Sequence, residues 1–194
     1  VLGREAQHAG SQMNKPSALP GYLSAAQCKT ISQIVAGLEF LPLSILFWRH
    51  DRGLQGIAPN RAIPDDFFYI LTKGALECRV GDDERRITAG EFIMVPAGVR
   101  HSVDMPDDID AFDVYSLHLH LYDETRHRFL KKLTTPFGVL SDLDAWVARL
   151  SACTCLMGRS PVAGGAYMEQ LVGELLIEQL LQGCKVRDLP VEVD

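Results

Sequence analysis

No run of apolar residues reaches the roughly 20 needed to cross a bilayer as a helix. The densest stretch, Leu171 to Leu181, is broken by Gly173, Glu174, Glu178 and Gln179, which excludes a membrane-spanning helix. Positive charge is also short: 19 Lys and Arg face 25 Asp and Glu, a net charge of -6, and Asp104, Asp107, Asp108, Asp110 and Asp113 form an acidic run. Affinity for nucleic acid is built from cations that displace counterions, so this chain alone is expected to bind DNA poorly. Cysteine is sparse. Cys28, Cys78, Cys153, Cys155 and Cys184 are odd in number and lack framework spacing, and no basic-then-apolar leader opens the chain, which points to a reducing cytoplasm. Cys153 and Cys155 on a helix would point about 200° apart, so packing is expected of them rather than a metal or redox pair. The G-x-S-x-G, Walker, dinucleotide and H-E-x-x-H signatures are absent, leaving hydrolase, nucleotide and zinc-protease readings unsupported and no cofactor implied.

What is present is enough for a packed core, with 194 residues of which 47% are hydrophobic. From about Phe40 to Tyr122, β-rich segments alternate with turn signals: Leu43–Trp48, Phe67–Leu71, Leu76–Val80, Phe92–Val95 and Val114–Tyr122. Between them stand Arg52-Gly53, Pro59-Asn60, Gly74, Gly81-Asp82-Asp83, Ala89-Gly90 and Pro96-Ala97-Gly98. Leu76, Cys78 and Val80 alternate with Glu77 and Arg79, the pattern of a strand with one dry face, and Arg86 to Thr88 should pair back across Gly81-Asp82-Asp83. From Ser141 the period lengthens. Leu143, Trp146, Val147 and Leu150 recur at three and four, with Ser141 or Asp142 as cap and Gly158 as stop. After Ser160-Pro161, Met168, Leu171, Val172, Leu175, Leu176 and Leu180 repeat the pattern to Gly183. The expected organisation is a flexible leader or arm over residues 1–21, a barrel over 22–122, a helical hairpin over 123–183 serving dimerisation, and a linker over 184–194. The stripe from Met168 to Leu180 is wider than one helix needs against a barrel, which predicts a twofold homodimer through these helices.

Gly90-Glu91-Phe92-Ile93-Met94-Val95-Pro96-Ala97-Gly98-Val99-Arg100-His101 resembles the second cupin motif, G-x5-P-x-G-x2-H. Gly90 suits a turn into the strand, and Gly98 permits the positive φ that reverses the chain toward His101. Met105 stands where the family pattern ends in Asn. Upstream, Arg61-Ala62-Ile63-Pro64-Asp65-Asp66-Phe67-Phe68-Tyr69-Ile70-Leu71-Thr72-Lys73-Gly74 resembles the run that opens the barrel in AraC-type transcription regulators, whose N-terminal cupin domain senses an effector. Metal-dependent cupins carry H-x-H and then Glu ahead of the glycine matched by Gly74; here Phe67 occupies the glutamate position, and the histidine positions fall on Asn60 and Ala62 or on Arg61 and Ile63. One imidazole cannot hold a transition metal against water, so no metal is expected. The resemblance implies a mainly β fold with C-terminal helices, a double-stranded β-helix or jelly-roll barrel followed by an α-helical hairpin. It also implies a small-molecule effector-sensing and dimerisation role, with DNA read only by a domain beyond this chain.

His101 is the first candidate to face the interior and meet a ligand, the alternative being a packing histidine. Arg61 could pair with an anionic effector or form a salt bridge with Asp65 or Asp66. Tyr69 and Tyr115 offer a ring wall and a hydroxyl, or plain core packing. His50 closes Phe47-Trp48-Arg49-His50, at the barrel mouth or as a polar strand end. His118 and His120 share one face of a strand whose other face is Leu117, Leu119 and Leu121; the histidines read as metal ligands or as a solvated stripe, and the leucines as core. Arg126, His127, Arg128, Lys131 and Lys132 read as a solvated helix face. Two rival functions remain: a cupin enzyme, isomerase or dioxygenase, using His101, and a dimerisation module that binds nothing.

Overall fold

The computed structural model describes residues 25–52 and 58–187. The expected arm at 1–21, the turn at Gly53 and the end of the linker at 188–194 lie outside the described residues. Helix α1 (Ala25–Ala36) leads into nine strands: β1 (Glu39–Asp51), β2 (Ala58–Arg61), β3 (Asp66–Lys73), β4 (Ala75–Val80), β5 (Asp83–Thr88), β6 (Glu91–Val95), β7 (His101–Asp104), β8 (Ala111–Tyr122) and β9 (Phe137–Val139). Helices α2 (Leu143–Arg159) and α3 (Pro161–Leu181) follow.

The strands form two antiparallel sheets, ordered β1-β8-β3-β6-β9 and β2-β7-β4-β5. Among the first eight strands every connection but the β4–β5 hairpin crosses between the sheets, and their order is that of two interleaved Greek keys, a jelly roll. The fold is therefore mainly β with C-terminal helices, as expected. The closed barrel is a correction: each sheet keeps its own ladder, and none of the described strands is hydrogen-bonded to both, so the body is a sandwich.

Strand β3, in the middle of the larger sheet, is covered on both faces, which explains why it reads as an unbroken apolar run rather than an alternation. Phe67, Tyr69, Leu71, Phe112 and Val114 point toward the smaller sheet. Phe68, Ile70, Tyr115, Leu117, Leu119 and Leu121 point the other way, into a core shared with α2 and α3. In the smaller sheet β4 shows the predicted alternation, with Cys78 buried and Arg79 exposed, and Leu76 faces Ile87 across the β4–β5 hairpin. Gly74, at φ +80°, joins β3 to β4 where an added Cβ would come within 2.5 Å of the Ala111 carbonyl oxygen. Gly98, at φ +76°, makes the reversal that starts β7 on His101, as its motif predicts.

Asp142 caps α2, accepting a hydrogen bond from the Ala145 N–H at 3.1 Å, and α2 continues one residue past Gly158. The Trp146 indole N–H donates to Glu178 at 3.1 Å, tying α2 to α3. Met168, Leu171, Val172, Leu175, Leu176 and Leu180 are all buried within the chain. That stripe is consumed by α1, α2 and the large sheet, so the reason for expecting a dimer through it is withdrawn. Two other expectations also change. The start of the segment assigned to the barrel is helix α1, packed on α3. The basic run at 126–132 is helical only over Phe129–Lys132, and although Arg126, His127 and Lys131 are exposed, Arg126 pairs with Glu39, half-buried Arg128 with Asp66 and Lys132 with Asp123. Cys153 is buried and Cys155 exposed, and the five cysteines are all unbridged. Among the described residues no helix is long and apolar enough to cross a membrane.

Candidate functional site

Three strands of the large sheet and one of the small sheet converge on a cavity of about 210 Å³ lined by Leu46, Trp48, His50, Arg61, Tyr69, Val114, Ser116 and His118. The register explains the gathering. Leu46 and Tyr69 both lie opposite Ser116, Trp48 lies opposite Val114 and His50 opposite Phe112, so their side chains share the inner face of β1, β8 and β3. Arg61 comes from β2, where it is the register partner of His101 on β7.

Four of the expected ligand-contacting residues, His50, Arg61, Tyr69 and His118, therefore meet in one place. His50 stacks on Phe112, with ring centroids 4.8 Å apart, and its Nδ1 is buried without a hydrogen-bond partner. Arg61 forms neither of its expected salt bridges, because both aspartates are engaged elsewhere. Asp65 binds His118. Asp66, fully buried, accepts from the Ala97 N–H at 2.8 Å, the Leu121 N–H at 3.0 Å and Arg128 at 3.0 Å. Among the described residues no carboxylate forms an ion pair with Arg61, which lines the cavity together with Tyr69. Burial pushes the Tyr69 phenol upward in pKa, and Arg61 pulls against that shift.

His101 is 1% exposed and sits beside this cavity rather than in its wall. Its Nδ1 lies 3.4 Å from the Val99 carbonyl oxygen, and its Nε2 is buried with no partner. A carbonyl only accepts, so Nδ1 carries the proton and Nε2 presents a bare lone pair. Burial lowers the pKa, the Val99 carbonyl opposes that shift, and Arg61 and His118 add to it, so the ring is held neutral. The Phe67 ring touches both imidazoles, edge-on to His101 at 4.8 Å and stacked on His118 at 5.4 Å.

Tyr115 does not join the others. It lies on the opposite face of β8, against α2, where its hydroxyl meets Ser151 Oγ at 2.7 Å. His118 and His120 share the inner side of β8, as their alternation with the buried leucines predicts, but not a common partner. His120 Nδ1 is 2.7 Å from Arg128, whereas His118 binds Asp65 through Nδ1 and Ser116 through Nε2 at 2.7 Å. Sequence reasoning missed Asp65 and Ser116 as partners of His118. Ser116 carried a usable signal, since it continues the His118, His120 face at the strand period of two; Asp65, 53 positions away, carried none.

The donors do not fit a transition-metal ion. Such an ion needs three or four converging N, O or S ligands, and no group of three His, Cys, Asp or Glu converges among the described residues. Both His118 nitrogens are engaged, and apolar Phe67 abuts His101 and His118.

A larger groove, of about 440 Å³, lies between α1 and residues 123–132. Its Asp123 is paired with Lys132, and none of the expected residues lines it.

No protein-family model matches the chain, and no curated protein matches it. Among solved structures it is similar to a conserved protein of unknown function from Streptococcus pyogenes, at 22% identity over 42% of this chain and 73% of that one, TM-score 0.34. It is also similar to an RmlC-like cupin from Shewanella frigidimarina, at 19% identity over 43% of this chain and 76% of that one, TM-score 0.33. A third is an RmlC-like cupin family protein with a double-stranded β-helix fold from Methanocaldococcus jannaschii, at 14% identity over 54% of this chain and 92% of that one, TM-score 0.34.

Proposed function

We propose that this chain is the cupin-type effector-sensing part of a cytoplasmic AraC-type transcription regulator, binding a small organic molecule in the cavity between its sheets. The observation that carries the reading is the cavity itself, lined by Arg61, which has no carboxylate partner among the described residues, and by His50, whose Nδ1 is buried and unpaired. Unpaired buried polar groups are costly, and a guanidinium fork suits a carboxylate or phosphate. At about 210 Å³ the space is below the roughly 300–1,000 Å³ of drug-sized sites, which favours a compact, anionic guest held without a metal ion. Signal transfer follows from linkage: a guest that prefers one arrangement of β8 and the helices shifts the population toward it. DNA is read by a domain beyond this chain, and association into a homodimer belongs to the same proposal.

The test is a thermal melt with a panel of small hydroxy- and keto-carboxylic acids, followed by operator binding with the DNA-binding domain attached. A binder should raise the melting temperature, lose at least tenfold in affinity in Arg61→Ala, and change operator affinity. Equal binding by Arg61→Ala, unchanged operator affinity with a bound ligand, or stoichiometric zinc, iron or manganese in the purified protein would overturn the reading.

A further inference from the structure

We infer that Ser116, His118 and Asp65 form a nucleophilic relay that lets the cavity accept an acyl group from a small ester. Asp65 Oδ2 meets His118 Nδ1, and His118 Nε2 meets Ser116 Oγ at 2.7 Å. A carboxylate can only accept, so Nδ1 of the neutral ring carries the proton, and Nε2 is left as the acceptor for the serine hydroxyl. That is the order of contacts by which a buried carboxylate fixes the imidazole tautomer and the imidazole takes a serine proton.

The parts are held rather than incidental. Ser116 and His118 sit two residues apart on one face of β8, between β1 and β3, so their separation is set by the strand repeat. Ser116 is 1% exposed yet lines the cavity. Tyr69 lies directly across from it on β3, and Arg61 lines the same cavity. These two supply the donor and the positive charge for an oxyanion forming beside Ser116.

The chemistry balances with water as co-reactant. Ser116 Oγ adds to the ester carbonyl carbon as its proton passes to His118 Nε2. The tetrahedral species collapses, breaking the bond to the alkoxy oxygen, which leaves as the alcohol with the proton from His118. Water then attacks the acyl-serine, gives its proton to His118, and releases the carboxylic acid as Ser116 recovers its hydrogen. In this scheme Asp65 is a positioning residue.

The experiment uses the whole chain with p-nitrophenyl acetate and, separately, phenylmethylsulfonyl fluoride, read by nitrophenol release and by intact and peptide mass. Expected are a single sulfonyl adduct mapped to Ser116, and nitrophenol release at least tenfold slower in Ser116→Ala and in His118→Gln. Asp65→Asn should lower the rate at saturating ester with KM and melting temperature little changed, since it alters the tautomer and not the fit. Circular dichroism and melting temperature show which variants fold, and Ser116→Ala, the smallest change, decides should His118→Gln unfold. Absence of any adduct on Ser116, or equal labelling of Ser116 in folded His118→Gln or Asp65→Asn, would overturn the relay. Loss of labelling in Ser116→Ala with carboxylate binding intact would separate this activity from effector sensing.

Discussion

At the scale of single residues, the neutral state of His101 makes stability depend on pH. Burial lowers its pKa, so the unfolded chain, where histidine titrates near its ordinary 6.5, takes up a proton that the folded chain refuses. Stability therefore rises with pH up to about that value and falls as acid is added below it. Melting temperatures from pH 7 to pH 5 should fall in the wild type and fall less in His101→Gln; parallel slopes would refute the assignment. Asp66 makes a sharper case. Its carboxylate joins β3, the loop before β7, β8 and Arg128 with no solvent exposure, so Asp66→Ala leaves buried donors and a guanidinium unmatched. The expected loss is about 3–5 kcal/mol by urea titration. Motif spacing made the inward placement of His101 legible, and strand alternation set His118 on the face opposite the leucines; that Arg61, Tyr69 and His50 line the same cavity as His118 was not legible. Nor were the roles of Asp65 and Asp66. By sequence either could pair with nearby Arg61, but adjacent strand-entry residues point to opposite sides, and Asp65 meets His118 while Asp66 binds Ala97, Leu121 and Arg128, which local sequence does not reveal.

At the scale of elements, α3 buries its stripe inside the monomer. Leu175→Ala should cost about 2–5 kcal/mol in unfolding free energy while leaving the sedimentation coefficient of the native protein unchanged. Loss of the native oligomer without loss of stability would contradict the packing. Asp142→Ala removes the α2 cap and should cost about 1 kcal/mol. Both helices were readable because each carries a sustained apolar period bounded by Asp142, Ser160-Pro161 and Gly183. Strands β2 and β9 were missed because four and three residues hold too little period to register; β7, equally short, was legible only through the Gly98 reversal that delivers the chain to His101. Helix α1 was missed for a related reason: none of its residues is fully buried, so its apolar positions form no strong stripe.

At the scale of the molecule, sheet and helices share one core, in which Leu117, Leu119 and Leu121 of β8 meet Leu171, Val172, Leu175 and Leu176 of α3. A boundary between a barrel ending at 122 and a separate hairpin would cut through that core. Urea unfolding should give coincident transitions by tryptophan fluorescence, which samples Trp146 and Trp48, and by far-ultraviolet circular dichroism; two separated transitions would show independent units. The same geometry bears on the proposed effector response. Strand β8 is a party wall, one residue thick, with Ser116 and His118 in one room and Tyr115, bonded to Ser151 of α2, in the other. Close-packed interiors transmit strain rather than absorb it, so a guest that displaces His118 by a fraction of an ångström also pushes on α2, with no hinge or lid needed to carry the message.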